Sequence, residues 1–260
     1  VLATKVHGRM ADDDPNMEGN SRRHIIQQCE ASLRRLQTDW IDLYQIHRPS
    51  SAVPIDETLG ALDDLIRAGK VRYIGTSTYA AWQIMESLMI SRELGLNRFV
   101  CEQPPYNIFD RRIERELLPM ARTYGLATIP WSPLAGGLLT GKYRFGAENP
   151  AGSRFHGLER EPWYDGRWHA DASAVVQGLA PLAEAKGCTV AQLSLAWCVR
   201  QPGVTSPIIG PRTMEQLIDN LGALEVELTE VDTTTIDSLA PPGSVLSPLY
   251  EADFGPHRYR

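Results

Sequence analysis

The chain has 260 residues, of which 43% are apolar and 22% are charged, and its formal net charge is −6. This composition is ordinary for a globular domain, and the negative balance argues against a nucleic-acid-binding scaffold. No run of roughly 18 uncharged apolar residues occurs, so no membrane insertion is predicted.

Strand-like and helix-like patterns alternate along the chain. Short runs rich in branched and aromatic residues predict strands at Val1–Val6, Ile41–His47, Val71–Ser77, Arg98–Gln103, Leu126–Trp131 and Val204–Ile209. Apolar residues at helical spacing predict helices at Ser21–Leu36, Pro54–Gly69, Ala80–Leu94, Arg111–Tyr124, Ala172–Ala185, Val190–Arg200, Met214–Leu221 and Glu230–Ala240. Met89 is assigned to an inward helix face, whereas Ser132–Trp168 and the tail from Pro241 are predicted to be mostly irregular.

The alternation predicts an α/β fold with parallel strands, either a doubly wound sheet or a (β/α)8 barrel. No G-x-G-x-x-G follows any strand, as a doubly wound dinucleotide domain would require. Polar residues instead follow successive strands, at Lys5, His47, Ser77, Gln103, Ser132 and Gly210. Because such strand ends converge on one rim of a barrel, where active sites form, we favour the barrel.

Six predicted strands do not close an eight-stranded barrel. The chain opens at Val1, without a Met and already in a strand. We therefore expect residues 1–260 to be a single barrel domain that is incomplete at its N-terminus, with six of the eight βα units present.

The four cysteines, Cys29, Cys101, Cys188 and Cys198, are scattered and form no C-x-x-C pair. They predict neither a disulfide framework nor a metal site. Reduced thiols in a cytoplasmic protein are the expectation.

Lys5 and His47 close neighbouring strands. A lysine at the rim of a barrel lowers the pKa of a neighbouring acid, and a histidine there is a candidate for catalysis. The alternatives are a lysine that leaves the core for solvent and a structural histidine. Since both would lie in one site of a barrel, we favour the functional interpretation.

Two later segments have features of phosphate binding. Gly136–Tyr143 (GGLLTGKY) nearly matches the loop G-x-x-x-x-G-K-[ST], but Tyr143 replaces the hydroxyl residue that would bind Mg²⁺, so we expect a glycine-rich loop that closes over a ligand. Arg212 stands before a predicted helix whose N-terminus attracts anions. Gln216 and Asn220 share a face of that helix and could read a base or ribose; the alternative is surface amides on a capped helix.

The motifs together resemble the aldo-keto reductases, in the branch that includes the potassium-channel β-subunits. The resemblance lies in VLATKV, DLYQIHRP, AGKVRYIGTSTY, CEQPPYNIFDR, WSPLAGGLLTGKY and IIGPRTMEQLIDNL, in the family's order over essentially the whole chain. It implies a (β/α)8 barrel that binds a nicotinamide cofactor, usually NADPH, and reduces an aldehyde or ketone.

The resemblance also implies a catalytic set of four residues. Lys5 and His47 match the family's lysine, which lowers the pKa of an acidic tyrosine, and its histidine, which orients the carbonyl. The tyrosine and an aspartate that pairs with the lysine belong to the family's first two βα units, upstream of VLATKV. Tyr44, Tyr79 and Tyr106 do not occupy the position of the acid.

The resemblance assigns cofactor contacts to twelve residues. Ser77, Thr78 and Gln103 match positions that hold the nicotinamide amide, although the family often has Asn at the position of Thr78. The remaining nine match the stacking, pyrophosphate and adenosine positions: Trp131, Ser132, Leu134, Gly136, Lys142, Gly210, Arg212, Gln216 and Asn220. Arg212, near the ribose, favours NADPH over NADH.

The alternative function is a nicotinamide-binding regulatory or redox-sensing subunit with little turnover, and an unrelated sugar- or phosphate-binding barrel is a third possibility. The substrate is a small carbonyl compound that the sequence does not specify, and a homo-oligomer is compatible with the sequence. The aromatic residues Trp163, Tyr164, Trp168, Tyr250 and Phe254 either line the substrate pocket or pack beneath the loop.

Overall fold

The computed structural model describes residues 1–158, 164 and 167–248, which fall into two compact units. The first contains Val1–Pro104 and Met120–Thr128, and the second contains Pro105–Pro119 and the described residues from Ile129 to Pro248. None of the described helices is both long and apolar enough to cross a lipid bilayer.

The first unit is built on a sheet of five parallel strands in sequential order, which confirms the predicted α/β class. The strands are β1 Ala3–Val6, β2 Ile41–Ile46, β3 Val71–Ser77, β4 Cys101–Gln103 and β5 Ala127–Thr128. In register, Lys5 lies opposite Gln45, Gln45 opposite Gly75, and Gly75 opposite Cys101. Within the described residues the sheet does not close on itself.

Three helices connect the first four strands: α1 Arg22–Leu36, α2 Ile55–Arg67 and α3 Ala81–Leu94. The hydroxyl of Ser21 caps α1 by accepting the backbone N–H of His24 at 3.3 Å. The core of this unit includes Ile25, Tyr44 and Ile74, which are all fully or almost fully buried. The prediction that Met89 lies inward is wrong, since Met89 is 57% exposed and the buried stripe of α3 runs instead along residues 84, 87, 88 and 91.

The remaining helices follow β4. They are α4 Leu117–Tyr124, α5 Ala170–Ala185, α6 Val190–Arg200, α7 Met214–Leu221 and α8 Glu230–Leu239, with 3₁₀ turns at Arg112–Glu114, Ala135–Thr140 and Gly222–Glu225. The single helix predicted from Arg111 to Tyr124 is therefore a 3₁₀ turn followed by α4.

The strand predicted at Val204–Ile209 is wrong, because these residues form no strand. Pro207 has no N–H to donate to a ladder, and the N–H of the next residue, Ile208, donates to the carbonyl of Pro130 at 2.7 Å. The apolar run has the composition of a buried strand, but one proline is enough to interrupt its pairing.

Arg111 organises the core of the second unit. Its guanidinium is 97% buried, makes ion pairs of 2.7 Å with Glu114 and with Asp237, and lies 5.0 Å from the centroid of the Trp197 ring. The hydroxyl of Tyr106 donates to the same Glu114 carboxylate at 2.6 Å. A buried guanidinium is tolerated because its donors are paired in this way.

We predict that Gly75→Ala destabilises the protein. A Cβ atom at Gly75 would lie 2.8 Å from the backbone carbonyl oxygen of Cys101, so β3 and β4 would have to separate. The free energy of unfolding should fall by about 1–3 kcal/mol in urea denaturation. The matched control is Gly60→Ala within α2, where no atom lies within 4 Å; it should stabilise by about 0.5–1 kcal/mol. Equal stability of Gly75→Ala and wild type would contradict the close packing of these strands.

Candidate functional site

The carboxyl ends of β1 and β2 present a group of basic side chains. Lys5 is half-buried, and its pKa is lowered from its ordinary value by burial and by the positive charge of Arg48. His47 is exposed, and its pKa falls to about 4 through partial desolvation and repulsion from Arg48, Lys5 and His7. At neutral pH the imidazole of His47 is therefore uncharged, with one N–H donor and one acceptor.

No carboxylate among the described residues pairs with Lys5. The guanidinium of Arg48 donates to the backbone carbonyl of His47 at 2.7 Å and to the Thr78 hydroxyl at 3.4 Å. The positive charges of Lys5 and Arg48 repel one another. A negatively charged partner beside Lys5 would therefore lower the electrostatic free energy of this site.

A second group, at the ends of β2, β3 and β4, is polar and almost completely removed from water. Its members are Gln45, Thr76, Ser77, Thr78, Glu102 and Gln103, each at most 5% exposed. The side-chain amide of Gln103 donates to the Gln45 amide oxygen at 3.2 Å, and the Ser77 hydroxyl donates to the backbone carbonyl of Gln103 at 2.8 Å. The structure thus brings together the three residues predicted to hold a nicotinamide amide.

Thr78 differs from its two neighbours in this group. Its backbone has φ 60°, a left-handed conformation that is uncommon for a β-branched residue. Its hydroxyl donates to the carbonyl of Ser77 at 2.7 Å, and its N–H donates to the carbonyl of Gln103 at 3.3 Å. The turn after β3 is therefore held by one hydrogen bond to the preceding residue, Ser77, and one to Gln103 in β4.

The second unit contains an open pocket of about 590 Å³. All nine remaining residues of the predicted cofactor set line it: Trp131, Ser132, Leu134, Gly136, Lys142, Gly210, Arg212, Gln216 and Asn220. Two separate stretches of sequence, residues 131–142 and 208–220, therefore line one cavity.

Three cations line this pocket: Lys142, Arg154 and Arg212. The guanidinium of Arg212 donates to the carbonyl of Gly152 at 3.1 Å, and its backbone N–H donates to the side chain of Gln216 at 2.7 Å. Asp219 also lines the cavity. The excess of cations gives the pocket a positive potential that suits phosphate groups.

The wall of the pocket depends on unusual backbone. Gly136 and Gly137 have φ 69° and 109°, which only glycine adopts without strain, and Ser132 has φ 55°. In the second stretch, the Thr213 hydroxyl caps α7 by accepting the N–H of the lining residue Gln216 at 3.3 Å. The glycine-rich segment forms an irregular 3₁₀ turn and lines the cavity.

Sequence reasoning missed several members of these groups. Gln45 is a polar residue inside an apolar strand, which is a signal for a buried polar group, whereas Glu102 is one of the polar residues that the sequence itself places at a strand end, beside Gln103. Arg154 lies in the long irregular segment, where no pattern distinguishes it from a surface arginine. Asp219 lies in α7 with Gln216 and Asn220, and no sequence pattern assigned it to the pocket.

The structure resolves part of the question about the aromatic residues. Tyr164 and Trp168 are only 4% and 3% exposed, and both pack in a cluster with Tyr143 and Phe155. They pack beneath the loop, as one of the two interpretations proposed. Trp163, Tyr250 and Phe254 lie outside the described residues.

The chain is similar in sequence to known proteins. Residues 1–241 match the family model described as Aldo/keto reductase family. A probable voltage-gated potassium channel subunit beta of Oryza sativa subsp. japonica is 42% identical over 228 residues, which cover 87% of this chain and 68% of that protein. The protein of the same description from Arabidopsis thaliana is 39% identical over 227 residues, with the same two coverages.

A bacterial protein is also similar. The uncharacterized oxidoreductase YrpG of Bacillus subtilis (strain 168) is 37% identical over 263 aligned positions, which cover 96% of this chain and 75% of that protein. The family match and this relative support a general oxidoreductase role.

Proposed function

This chain belongs to the aldo/keto reductase family, whose fold is the (β/α)8 barrel, and we propose that it is an NADPH-dependent oxidoreductase that reduces an aldehyde or ketone to an alcohol. The observation that carries the proposal is the pocket of the second unit, in which nine residues of the predicted cofactor set, including the cations Lys142 and Arg212, converge with a third cation, Arg154. We keep the single-domain interpretation and the cytoplasmic location as parts of this proposal. The thiols of Cys29 and Cys101 are buried and their pKa values are raised to about 11 and about 12, which suits reduced cysteines.

The donor set of the pocket fits the phosphate and adenosine parts of the cofactor. Lys142 and Arg154 offer positive charge to a pyrophosphate, and the capped N-terminus of α7 adds backbone N–H groups. Arg212 offers a planar guanidinium to a ribose 2′-phosphate, which NADPH has and NADH lacks. Asn220 and the side-chain NH2 group of Gln216, whose oxygen accepts the Arg212 N–H, remain available for the ribose and base.

The buried polar group fits the carboxamide of the nicotinamide. The side-chain N–H group of Gln103 is occupied by Gln45, so its amide oxygen is left to accept a ligand N–H. The Ser77 hydroxyl donates its proton to the backbone carbonyl of Gln103, and its oxygen can still accept a hydrogen bond. A carboxamide, which has both donors and acceptors, is the kind of group that such a site recognises.

When bound, the reduced nicotinamide supplies the hydride that the carbonyl carbon receives, while a proton reaches the carbonyl oxygen. His47, uncharged at neutral pH, donates an N–H to the carbonyl oxygen and orients it. Lys5 stabilises the phenolate form of a neighbouring tyrosine and so brings its pKa down from about 10 towards the working pH.

Two of the three tyrosines that do not match the family's acid position have other hydrogen-bond partners. The hydroxyl of Tyr44 donates to the carbonyl of Ile25 at 3.2 Å, and that of Tyr106 donates to Glu114. Burial raises the pKa of Tyr44, Tyr79 and Tyr106, which is the opposite of what a general acid needs. We assign the proton donor, and the aspartate beside Lys5, to the segment that precedes VLATKV in the family.

The second candidate function is a nicotinamide-binding regulatory subunit with little turnover. It is favoured by the two plant relatives, which are described as probable potassium channel β subunits. Both candidates require the same cofactor site, so turnover rather than binding distinguishes them.

We predict that the protein binds NADPH more tightly than NADH and that Arg212 is responsible. Arg212→Ala should weaken NADPH binding by about tenfold to a hundredfold and leave NADH binding nearly unchanged, since only NADPH carries the 2′-phosphate. Isothermal titration calorimetry measures the dissociation constants of NADPH and NADH. Arg200→Ala is the control, because Arg200 is an exposed arginine on α6. Equal affinity of wild type for the two nucleotides would reject the preference.

We also predict that Lys5→Met removes most turnover and leaves NADPH binding largely intact. The loss follows because the tyrosine no longer has an ammonium that lowers its pKa, an effect of about 10²–10⁴-fold for general acid catalysis. The assay is NADPH oxidation by the full-length protein against a panel of simple aldehydes and ketones. Binding of NADPH without oxidation by any of them would favour the regulatory candidate.

A further inference from the structure

Glu102 is a buried carboxyl group that the proposed reaction does not use. It lies in β4 and is completely buried, with its two oxygens facing β3 and the turn that follows it. The Thr76 hydroxyl forms a hydrogen bond with Oε2, and the backbone N–H of Tyr79 donates to Oε1 at 3.3 Å. The carboxyl group thus links both ends of the segment 76–79.

This segment contains the residues on which nicotinamide recognition is proposed to depend. Ser77 and Thr78 lie between the two contacts, and Thr78 has the left-handed backbone that a β-branched residue adopts at a cost. Gln103 follows Glu102 directly in β4. One side chain therefore supports the conformation of Ser77 and Thr78 and lies beside Gln103 in sequence.

We propose that Glu102 is a positioning residue of the nicotinamide subsite: it holds the Thr76–Tyr79 turn in place, and its charge state biases the subsite between oxidised and reduced cofactor. This inference rests on the proposed function, because it concerns the same cofactor. Glu102 acts through Ser77, Thr78 and Gln103 and is not itself assigned a contact with the cofactor.

The charge of Glu102 changes in an accessible range. Burial raises its pKa to about 8, although the hydrogen bonds from Thr76 and Tyr79 and the charge of Arg48 oppose this shift. The other titratable groups that face it are Tyr79 and Cys101, whose pKa values it helps to raise, so both remain uncharged. Below pH 8 the carboxyl group is mainly neutral, and above pH 8 it is mainly ionised.

The sign of the effect follows from the cofactor. The oxidised nicotinamide ring is cationic, whereas the reduced ring is neutral. A negative charge in the segment that supports the subsite favours the cationic ring over the neutral one, so the affinity for NADP⁺ relative to NADPH should rise as the pH passes upward through the pKa of Glu102. By linkage, binding of NADP⁺ should release a proton from Glu102.

The test compares two substitutions at Glu102. Glu102→Gln preserves the shape, accepts the Tyr79 N–H, donates to the Thr76 hydroxyl and cannot ionise. Glu102→Leu removes both contacts. Asp63→Leu on α2 is the matched control, because Asp63 is another buried carboxylate of the same unit that bonds to Asn97 and Arg67 and has no assigned part in cofactor binding.

Dissociation constants for NADPH and NADP⁺ are measured by protein fluorescence between about pH 6.5 and 9.5. The ratio of the two constants cancels the titration of groups that both nucleotides share, including the 2′-phosphate. In wild type, the preference for NADP⁺ should grow by at least about threefold across this range, and in Glu102→Gln it should stay constant.

At neutral pH, Glu102→Gln should keep NADPH affinity within about threefold of wild type, whereas Glu102→Leu should lose about tenfold or more. Asp63→Leu should lower stability without either effect on the cofactor. If Glu102→Leu does not fold, the pH dependence of wild type against Glu102→Gln still decides.

Two negative results are distinguishable. If wild type binds neither nucleotide, the proposed function is overturned and this inference with it. If wild type binds both, but Glu102→Gln has the same pH dependence or Glu102→Leu has unchanged affinity, the role of Glu102 is overturned and the proposed function stands.

Discussion

The close approach of β3 to β4 at Gly75 is the constraint on which the first unit depends. At Gly75 there is no room for a Cβ atom beside the carbonyl of Cys101, and the polar side chains around this point are removed from water. Groups buried in this way must satisfy one another, since an unpaired buried donor or acceptor is costly. Gln45, Thr76 and Gln103 therefore form a connected hydrogen-bonded network whose geometry follows from the register of the sheet.

The distribution of positive charge in the chain is explained by the anionic groups that the proposed function supplies. Lys142, Arg154 and Arg212 line a pocket in the second unit, although the protein as a whole is acidic. Lys5 has no carboxylate beside it within the described part of the chain, and its pKa and that of His47 are both lowered from their ordinary values by burial and by neighbouring positive charge. Phosphates in the pocket and an aspartate beside Lys5 would each neutralise charge that otherwise destabilises the fold.

Much of this organisation could be predicted from the sequence, because it depends on local patterns. The order of strands and helices follows from periodicity, whereas the nine predicted cofactor residues that line one pocket follow from the resemblance of residues 131–142 and 208–220 to the family. Features that depend on three-dimensional context were not predictable. Met89 lies off the buried stripe of α3, and the importance of Glu102 emerges only from the contacts of β4 with β3. Pro207, by contrast, is visible in the sequence as a residue that argues against a strand at 204–209.

Hydrogen–deuterium exchange with and without NADPH tests most directly the central claim that this chain has a nicotinamide cofactor site. Because bound ligand suppresses local opening, NADPH should slow exchange in residues 131–142 and 208–220, and around Ser77 and Gln103, while α1 and α2 exchange at their original rates. Unchanged exchange in all of these segments at saturating NADPH, or protection confined to other parts of the chain, would contradict the account.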